Sequence, residues 1–278
     1  MLTRIAPTPS GLLHRGNAFS FLLTEQYAKQ TGSKILLRID DMDTERKRPE
    51  YVQDIFDTLH WLEIKWYTGP KDADDFEKSW SQRHRMDLYN DAIQKLISEN
   101  KVFACLCSRK QIQEKGPCDC EVKNLSADTP GTALRIRMKE NTIVHFSDNN
   151  GEHKVNLSET IGSFIVRRRD VYRHRRDKLP AYQLFSLIDD LHFNITTIIR
   201  GQDLFDSTAA QIFLAEQLGE DIHSRIKFIH HPLLTDEKGN KLSKSESALS
   251  LKSMREKGMK ANELRSQFRE WCNTNCLF

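Results

Sequence analysis

The first 40 residues alternate between short apolar runs and one amphipathic stretch, and this order constrains the fold more than any other feature. Residues 2–6 have the length and composition of a β-strand, which a loop containing Pro and Gly ends. From about residue 16 to residue 32, apolar side chains recur at helical spacing. Residues 35–39 then form an apolar run of strand length, typical of a buried parallel strand. A strand, a helix and a strand in this order predict a right-handed βαβ unit.

The rest of the chain continues the α/β pattern but contains a segment of different character. We predict helices at 50–62, 82–100 and 207–218, the last with Asp206 as its N-cap, and strands at 132–138, 142–146, 162–168 and 226–230. Residues 102–126 are rich in Cys, and a turn at 149–151 suggests an antiparallel hairpin. We therefore predict a doubly wound parallel α/β sheet whose halves, 1–100 and 181–235, flank a small α+β insert at 101–180 and precede a short C-terminal segment at 236–278.

The composition excludes several classes of protein. Hydrophobic residues make up 38% of the 278 residues and charged residues 29%, which suits a chain with a buried core and excludes a fibrous or mostly disordered one. No apolar run approaches the roughly 20 residues that a membrane helix needs. The N-terminus lacks the apolar stretch of a signal peptide. We therefore expect a cytoplasmic protein without a membrane partner, and we expect it to be a monomer.

The net charge of +3 conceals one strongly basic segment. Residues 167–178 (RRRDVYRHRRDK) contain seven Lys or Arg and only two Asp, so the remainder of the chain is slightly acidic. A concentrated basic patch on a nearly neutral body is typical of proteins that bind a phosphate backbone. A solvated surface loop is the alternative interpretation. We favour contact with nucleic acid.

Two separate loops have the composition of phosphate-binding elements. Residues 14–17 (HRGN) lie at the predicted start of a helix, where free N–H groups and the helix dipole attract anions. Residues 238–245 (KGNKLSKS) offer several ammonium groups and hydroxyls, which suit a polyphosphate leaving group. The sequence contains neither the G-x-G-x-x-G nor the G-x-x-x-x-G-K-[ST] pattern, which argues against dinucleotide and P-loop modes of binding.

Together, in this order, the two loops resemble the HIGH and KMSKS signatures of the class I aminoacyl-tRNA synthetases. The opening at 4–11 (RIAPTPSG), the strand end at 38–43 (RIDDMD) and residues 200–204 (RGQDL) are similar to motifs of the glutamyl and glutaminyl branch. The similarity extends in order from residue 3 to about residue 245. It implies a Rossmann-type catalytic domain of the class I synthetases that carries an inserted, zinc-binding domain.

The resemblance implies a binding site for L-glutamate, which needs partners for two carboxylates and one ammonium group. Arg4 and Arg200 match arginines of the family, and arginine suits bidentate binding of a carboxylate. Tyr182 matches a family tyrosine, and Thr8 replaces a family serine but keeps the hydroxyl. Asp40 stands where the family has Glu and would face the α-ammonium group with a reach that is one methylene shorter.

The resemblance also implies an ATP site and its catalytic groups. His14, Gly16, Asn17 and Lys244 would bind ATP, and His14, Lys241 and Lys244 would assist catalysis. The glutamate α-carboxylate would attack the α-phosphorus of ATP, and pyrophosphate would leave. Catalysis then rests on positioning and on charge stabilisation, with Mg²⁺ as a further cofactor.

Chain length distinguishes between members of the branch. An ordinary glutamyl-tRNA synthetase continues after its KMSKS loop with a large anticodon-binding part, whereas only 33 residues follow Ser245 here. The chain is therefore similar to the truncated paralogues, the glutamyl-Q tRNA(Asp) synthetases. That family activates glutamate without tRNA and attaches it to queuosine in the anticodon of tRNA-Asp.

Four of the six cysteines, Cys105, Cys107, Cys118 and Cys120, lie within 16 residues of one another. The family binds zinc through Cys-x-Cys followed by a Tyr and a Cys, and no Tyr stands between Cys107 and Cys118. We expect all four thiolates to bind a structural Zn²⁺, the second pair supplying the third and fourth ligands. Four buried or free thiols are the alternative.

Two other functions are compatible with the sequence. An ordinary glutamyl-tRNA synthetase core would charge the 3′ end of a tRNA, and the short C-terminal segment argues against it. A non-catalytic synthetase-like module would only bind tRNA or zinc, and the presence of His14, Lys241 and Lys244 argues against that.

Overall fold

The computed structural model describes residues 1–116, 118–169, 178–234 and 250–277. The main element of this part is a sheet of four parallel strands, joined by a smaller antiparallel sheet and a hairpin. The strands are β1 (Leu2–Ile5), β2 (Lys34–Leu37), β3 (Val102–Cys105), β4 (Ala133–Ile136), β5 (Ile143–Asp148), β6 (Gly151–Asn156), β7 (Ile165–Arg167), β8 (Thr197–Gly201) and β9 (Lys227–His231).

Helices surround the sheet on both faces and form the C-terminal part of the described chain. None of them combines the length and the apolar composition needed to cross a bilayer. The helices are α1 (Arg15–Thr31), α2 (Pro49–Trp61), α3 (Ala73–Asp75), α4 (Met86–Ser98), α5 (Arg109–Lys115), α6 (Leu157–Thr160), α7 (Tyr182–His192), α8 (Phe205–Gln217), α9 (Leu251–Glu256) and α10 (Ala261–Thr274).

The main sheet has the strand order β2-β1-β8-β9, and this order places the functional crevice. The chain passes from β1 to β2 on one side and later returns to β8 and β9 on the other. The strand order therefore reverses between β1 and β8, and ligands of open α/β sheets bind outside the carboxyl ends of the strands at such a point. The predicted parallel α/β arrangement is confirmed.

Both faces of the sheet are buried because alternate residues of each strand enter opposite cores. Leu36 of β2 and Ile198 of β8 pack in the core that contains α4, α7 and α8. Their neighbours Leu37 and Ile199 pack in the core formed with α1, α2 and α10. Successive side chains point to opposite faces because a strand is pleated. Since both faces are buried, odd and even positions are both apolar, and the strands appear in the sequence as continuous apolar runs.

The insert consists of the antiparallel sheet β3-β4-β7 and the hairpin β5-β6. The hairpin turn is formed by Asn149 and Asn150, between the paired residues Asp148 and Gly151. Phe146 of the hairpin lies in the same core as Phe228 of β9, with ring centroids 6.2 Å apart. The hairpin therefore packs directly against the edge of the main sheet.

The predicted start of α8 is wrong by two residues. Leu204 is the N-cap and Asp206 lies in the first turn. A 3₁₀ turn at Gln202–Leu204 leads directly into the helix, so the backbone is already helical where an acidic cap would have to be extended.

Candidate active site

A cavity of about 450 Å³ opens at the carboxyl ends of β1 and β8, where the strand order reverses. It brings together all the residues that the sequence assigned to glutamate, and those assigned to ATP within the described part of the chain. These residues are Arg4, Thr8, His14, Gly16, Asn17, Asp40, Tyr182 and Arg200.

The start of α1 fixes the orientation of the His14 ring. The Nδ1 atom of His14 accepts a hydrogen bond from the backbone N–H of Gly16 at 3.1 Å, and the Asn17 side chain accepts one from the His14 N–H at 3.0 Å. Because Nδ1 is an acceptor, the proton of a neutral ring is on Nε2, which is a hydrogen-bond donor. A Cβ atom at Gly16 would lie 2.9 Å from Cε1 of His14, so a side chain at this position would displace the ring from where it folds back over this turn.

A buried ion cluster lies at the base of the cavity and joins three elements of the fold. Arg38 donates to both carboxylate oxygens of Asp40, at 2.6 and 3.1 Å, and to Oδ1 of Asp190 on α7 at 2.7 Å. Oδ1 of Asp190 also accepts from Nε of Arg4 at 3.2 Å. Although burial alone lowers it, the carboxylates of Asp190, Asp40 and Asp189 hold the pKa of Arg38 above its ordinary value.

Asp40 experiences opposing influences in this cluster. Burial raises the pKa of its carboxyl to about 6, against the lowering effect of the adjacent Arg38. Asp40 is therefore a carboxylate at neutral pH and lies close to its titration range. It lines the cavity, where a cation would meet the negative charge.

Arg200 is a buried cation whose partners are neutral. Its side chain donates to Oε1 of Gln211 at 2.9 Å and to Oγ1 of Thr208 at 2.7 Å. Among the described residues no carboxylate lies within 4 Å of it, and its Nε has no hydrogen-bond partner there. Burial lowers the pKa of Arg200, but guanidinium keeps its proton at neutral pH. A buried charge without a carboxylate at ion-pair distance is costly, so this position favours an anionic ligand.

Sequence reasoning missed several residues that shape the cavity. Arg38, part of the motif at 38–43, was given no role, nor was Asp190, which accepts from it; Thr208 and Gln211 hold Arg200. The indole of Trp271 on α10 lines the cavity and packs against Phe19 of α1, with ring centroids 5.4 Å apart. The arginine that follows β2 was a usable signal for Arg38, whereas Asp190 lies within α7 and meets Arg38 only in the folded chain. No local sequence pattern predicts that Trp271 of the C-terminal helix contacts this cavity.

Two groups of predicted functional residues lie outside the described part of the chain. They are Lys241 and Lys244 of the second phosphate loop, and most of the basic segment at 167–178. Their predicted roles stay predictions.

The four cysteines of the insert form a second, separate candidate site. All four Sγ atoms lie within 4.8 Å of one another, with 3.6 Å from Cys105 to Cys118 and from Cys107 to Cys120. None of them forms a disulfide. A tetrahedral zinc with Zn–S bonds of about 2.3 Å separates its sulfurs by roughly 3.8 Å, so the arrangement fits a four-thiolate metal site. Burial raises the pKa of Cys118 to about 12, so this thiol keeps its proton unless a cation displaces it.

Comparisons with known proteins agree with this geometry. The model of the family "tRNA synthetases class I (E and Q), catalytic domain" matches residues 1–270. A glutamyl-Q tRNA(Asp) synthetase of Rhodobacter capsulatus is 31% identical over 95% of this chain and 98% of the relative. One from Pseudomonas fluorescens is 35% identical over 87% of this chain and 75% of the relative.

A solved structure shows the same fold. The glutamate-tRNA synthetase from Elizabethkingia anophelis superposes with a TM-score of 0.72 at 24% identity over 93% of this chain. The chain spans 54%, about half, of the length of that protein. The extent of the family match, and the identity to relatives that the chain covers to three quarters or more, show that the chain belongs to the class I tRNA synthetases of the E and Q type, and within them to the family of glutamyl-Q tRNA(Asp) synthetases.

Proposed function

We propose that this chain activates L-glutamate with ATP, without tRNA, and transfers the glutamyl group to queuosine in the anticodon of tRNA-Asp. The observation that carries the choice of glutamate is Arg200, a buried guanidinium that no described carboxylate neutralises within 4 Å. The side-chain carboxylate of glutamate supplies that charge. A neutral side chain such as that of glutamine would leave it uncompensated.

The remaining groups of glutamate meet the buried ion cluster and the residues around it. The α-ammonium group faces Asp40, whose carboxylate Arg38 holds in place. Arg4 and Tyr182 line the same cavity and bind the carboxylates, while Thr8 offers its hydroxyl at the rim. Each charged group of the substrate then has a partner of opposite charge.

ATP lies over the start of α1. The Nε2–H group of His14 donates to a phosphate oxygen, and Gly16 and Asn17 preserve the turn that aims the ring. An oxygen of the glutamate α-carboxylate attacks the α-phosphorus, and pyrophosphate leaves with the bonding electrons. Lys241 and Lys244 stabilise the charge that grows on the leaving group, together with the Mg²⁺ that accompanies ATP.

The second step transfers the glutamyl group to a tRNA hydroxyl. The hydroxyl oxygen attacks the carbonyl carbon of the adenylate and gives up its proton, and AMP leaves. The names of the relatives and their similarity to most of this chain support queuosine of tRNA-Asp as the acceptor. A monomer acting in the cytoplasm, where it meets tRNA, completes the proposal.

The cysteine site is proposed to bind one structural Zn²⁺ through Cys105, Cys107, Cys118 and Cys120. The ion would hold the end of β3 and the 3₁₀ turn at Asp119–Glu121 together, because Cys105 ends the strand and Cys120 lies in the turn. Four-thiolate zinc sites of this kind contribute to folding and leave no position open for substrate.

Glutamate-dependent exchange of pyrophosphate into ATP in the absence of tRNA tests the activation step. We expect exchange with glutamate and at least about 100-fold less with glutamine, because glutamine cannot neutralise Arg200. Arg200→Gln should lower kcat/KM for glutamate by a similar factor. Arg225→Gln, which changes an exposed arginine of the surface, is the matched control. Equal exchange with glutamine, or full activity of Arg200→Gln, would contradict the proposed specificity.

The pH dependence of glutamate binding follows from Asp40. The pKa of about 6 means that the carboxylate is neutralised as the pH falls below 6, while the ammonium group of glutamate stays charged. We expect KM for glutamate to be constant from pH 8 to 7 and to rise by up to about tenfold per unit below pH 6. Asp40→Asn, neutral at every pH, should raise KM throughout and remove the inflection. A wild-type KM that stays flat down to pH 5 would rule out Asp40 as the ammonium partner.

Metal content tests the cysteine site. Protein purified without chelators should contain about one zinc ion per chain by mass spectrometry, and Cys118→Ser should reduce the content several-fold because one thiolate ligand is lost. Cys276→Ser, at an exposed cysteine outside the cluster, should keep the full content. Wild-type protein that remains free of zinc, and whose four thiols react equally fast before and after zinc is added, would show that the cluster is not a metal site.

A further inference from the structure

A chain of hydrogen bonds connects the β5-β6 hairpin of the insert with Arg200. Oδ2 of Asp148, the last residue of β5, lies 2.7 Å from Nδ1 of His230. Nε2 of His230 lies 2.7 Å from Oγ1 of Thr208, and this oxygen accepts from Arg200 at 2.7 Å. The side chains of Asp148, His230 and Thr208, three residues called the relay below, are buried and do not line the glutamate cavity.

The donor and acceptor properties of these groups fix the direction of every bond. Burial lowers the pKa of His230 to about 4, so the ring is neutral at pH 7 and carries one proton. Burial raises the pKa of Asp148, but the hydrogen bonds from His153, Asn150 and His230 together outweigh it and lower the pKa, so Asp148 is an ionised acceptor.

It follows that Nδ1 of His230 carries the proton and Nε2 accepts. The Thr208 hydroxyl then donates to Nε2, and its oxygen lone pairs face Arg200. The carbonyl of Leu204 lies 3.3 Å from the same hydroxyl and is a poorer acceptor than Nε2 at 2.7 Å. Each member of the relay thus holds the next in one orientation.

The hairpin turn holds the relay at its far end. The Asn149 side chain accepts from the backbone N–H of His230 at 2.8 Å and donates to its carbonyl at 3.3 Å. The other carboxylate oxygen of Asp148 accepts from His153 and from the backbone N–H of Asn150, both at 2.7 Å. The position of His230 is therefore set by the turn, and the position of Thr208 depends on His230.

We propose that Asp148, His230 and Thr208 are positioning residues that hold the Arg200 guanidinium in the orientation that binds the side-chain carboxylate of glutamate. The inference rests on the proposed role of Arg200 as the glutamate partner. A long arginine side chain without an ionic partner can adopt several rotamers. Fixed acceptors hold it in one rotamer before the substrate arrives, so less conformational entropy is lost when glutamate binds. The insert thereby contributes to amino-acid selection without touching the amino acid.

The isosteric variant Thr208→Val tests the relay, because it removes the hydroxyl and keeps the volume. In tRNA-free exchange we expect KM for glutamate to rise about 10- to 100-fold, while KM for ATP stays within twofold. Thr208→Ser, which restores the hydroxyl, should return KM for glutamate to within about threefold of wild type. Thr160→Val, at an exposed threonine of α6, is the control for the substitution itself.

A second variant, at the hairpin end of the relay, shows whether the effect of Thr208→Val comes from the relay or from a local packing defect. Asp148→Asn keeps the size but removes the ionised acceptor for His230, and it should raise KM for glutamate by about three- to tenfold. Because the members act in series, the double variant should be no worse than Thr208→Val alone. This arm also stands if Thr208→Val fails to fold.

The outcomes distinguish this inference from the proposed function. Wild-type exchange together with an unchanged glutamate KM in both variants, or with glutamate and ATP KM rising in parallel, would overturn the relay and leave the proposed function standing. Independent, multiplying effects in the double variant would also overturn it. Absence of glutamate-dependent exchange in the wild type would overturn both.

Discussion

The contact between Arg38 and Asp190 is the interaction on which the candidate site depends. It joins the end of β2 to α7 across 152 positions of sequence, and Asp190 in turn holds Arg4 of β1. Arg38 also orients Asp40, so one buried guanidinium places both an anionic and a cationic group of the cavity. Removing one member of such a cluster would leave unpaired charges in the core, which costs far more than an exposed ion pair contributes.

Arg4 and Arg200 belong to parts of the chain that are far apart in sequence, but both are held by the main parallel sheet. The sheet brings β1 and β8 side by side and so places Arg4 and Arg200 at the same edge. The hairpin of the insert then packs on β9 and reaches Arg200 through Thr208 and His230. The insert is thus part of the core of the catalytic sheet, while its cysteine site lies elsewhere on it. This arrangement links the part of the chain that carries the basic segment with the part that we propose to bind glutamate.

Structural features that are set by neighbouring residues were mostly predicted from the sequence, whereas contacts between residues far apart in the sequence were not. The bounds of α1 were predicted closely, because the His14 turn and Gly32, which ends the helix with φ of 66°, are local signals. The identity of most cavity residues followed from motifs. The bonds of Asp190 and of His230 were not predicted, since they join elements far apart in sequence and depend on which strands become neighbours. The incorrect cap at Asp206 has a local origin, because the 3₁₀ turn that directly precedes the helix is not visible in the residue pattern.

The position at which glutamate is attached to tRNA distinguishes modification of queuosine from ordinary charging of the 3′ end. Total tRNA from cells that make queuosine, and from cells that cannot, is incubated with the enzyme, ATP and labelled glutamate, and nuclease fragments are then separated. We predict label in the queuosine-bearing anticodon fragment of tRNA-Asp and none on tRNA without queuosine. Label on the 3′-terminal adenosine, or equal labelling of tRNA that lacks queuosine, would contradict it.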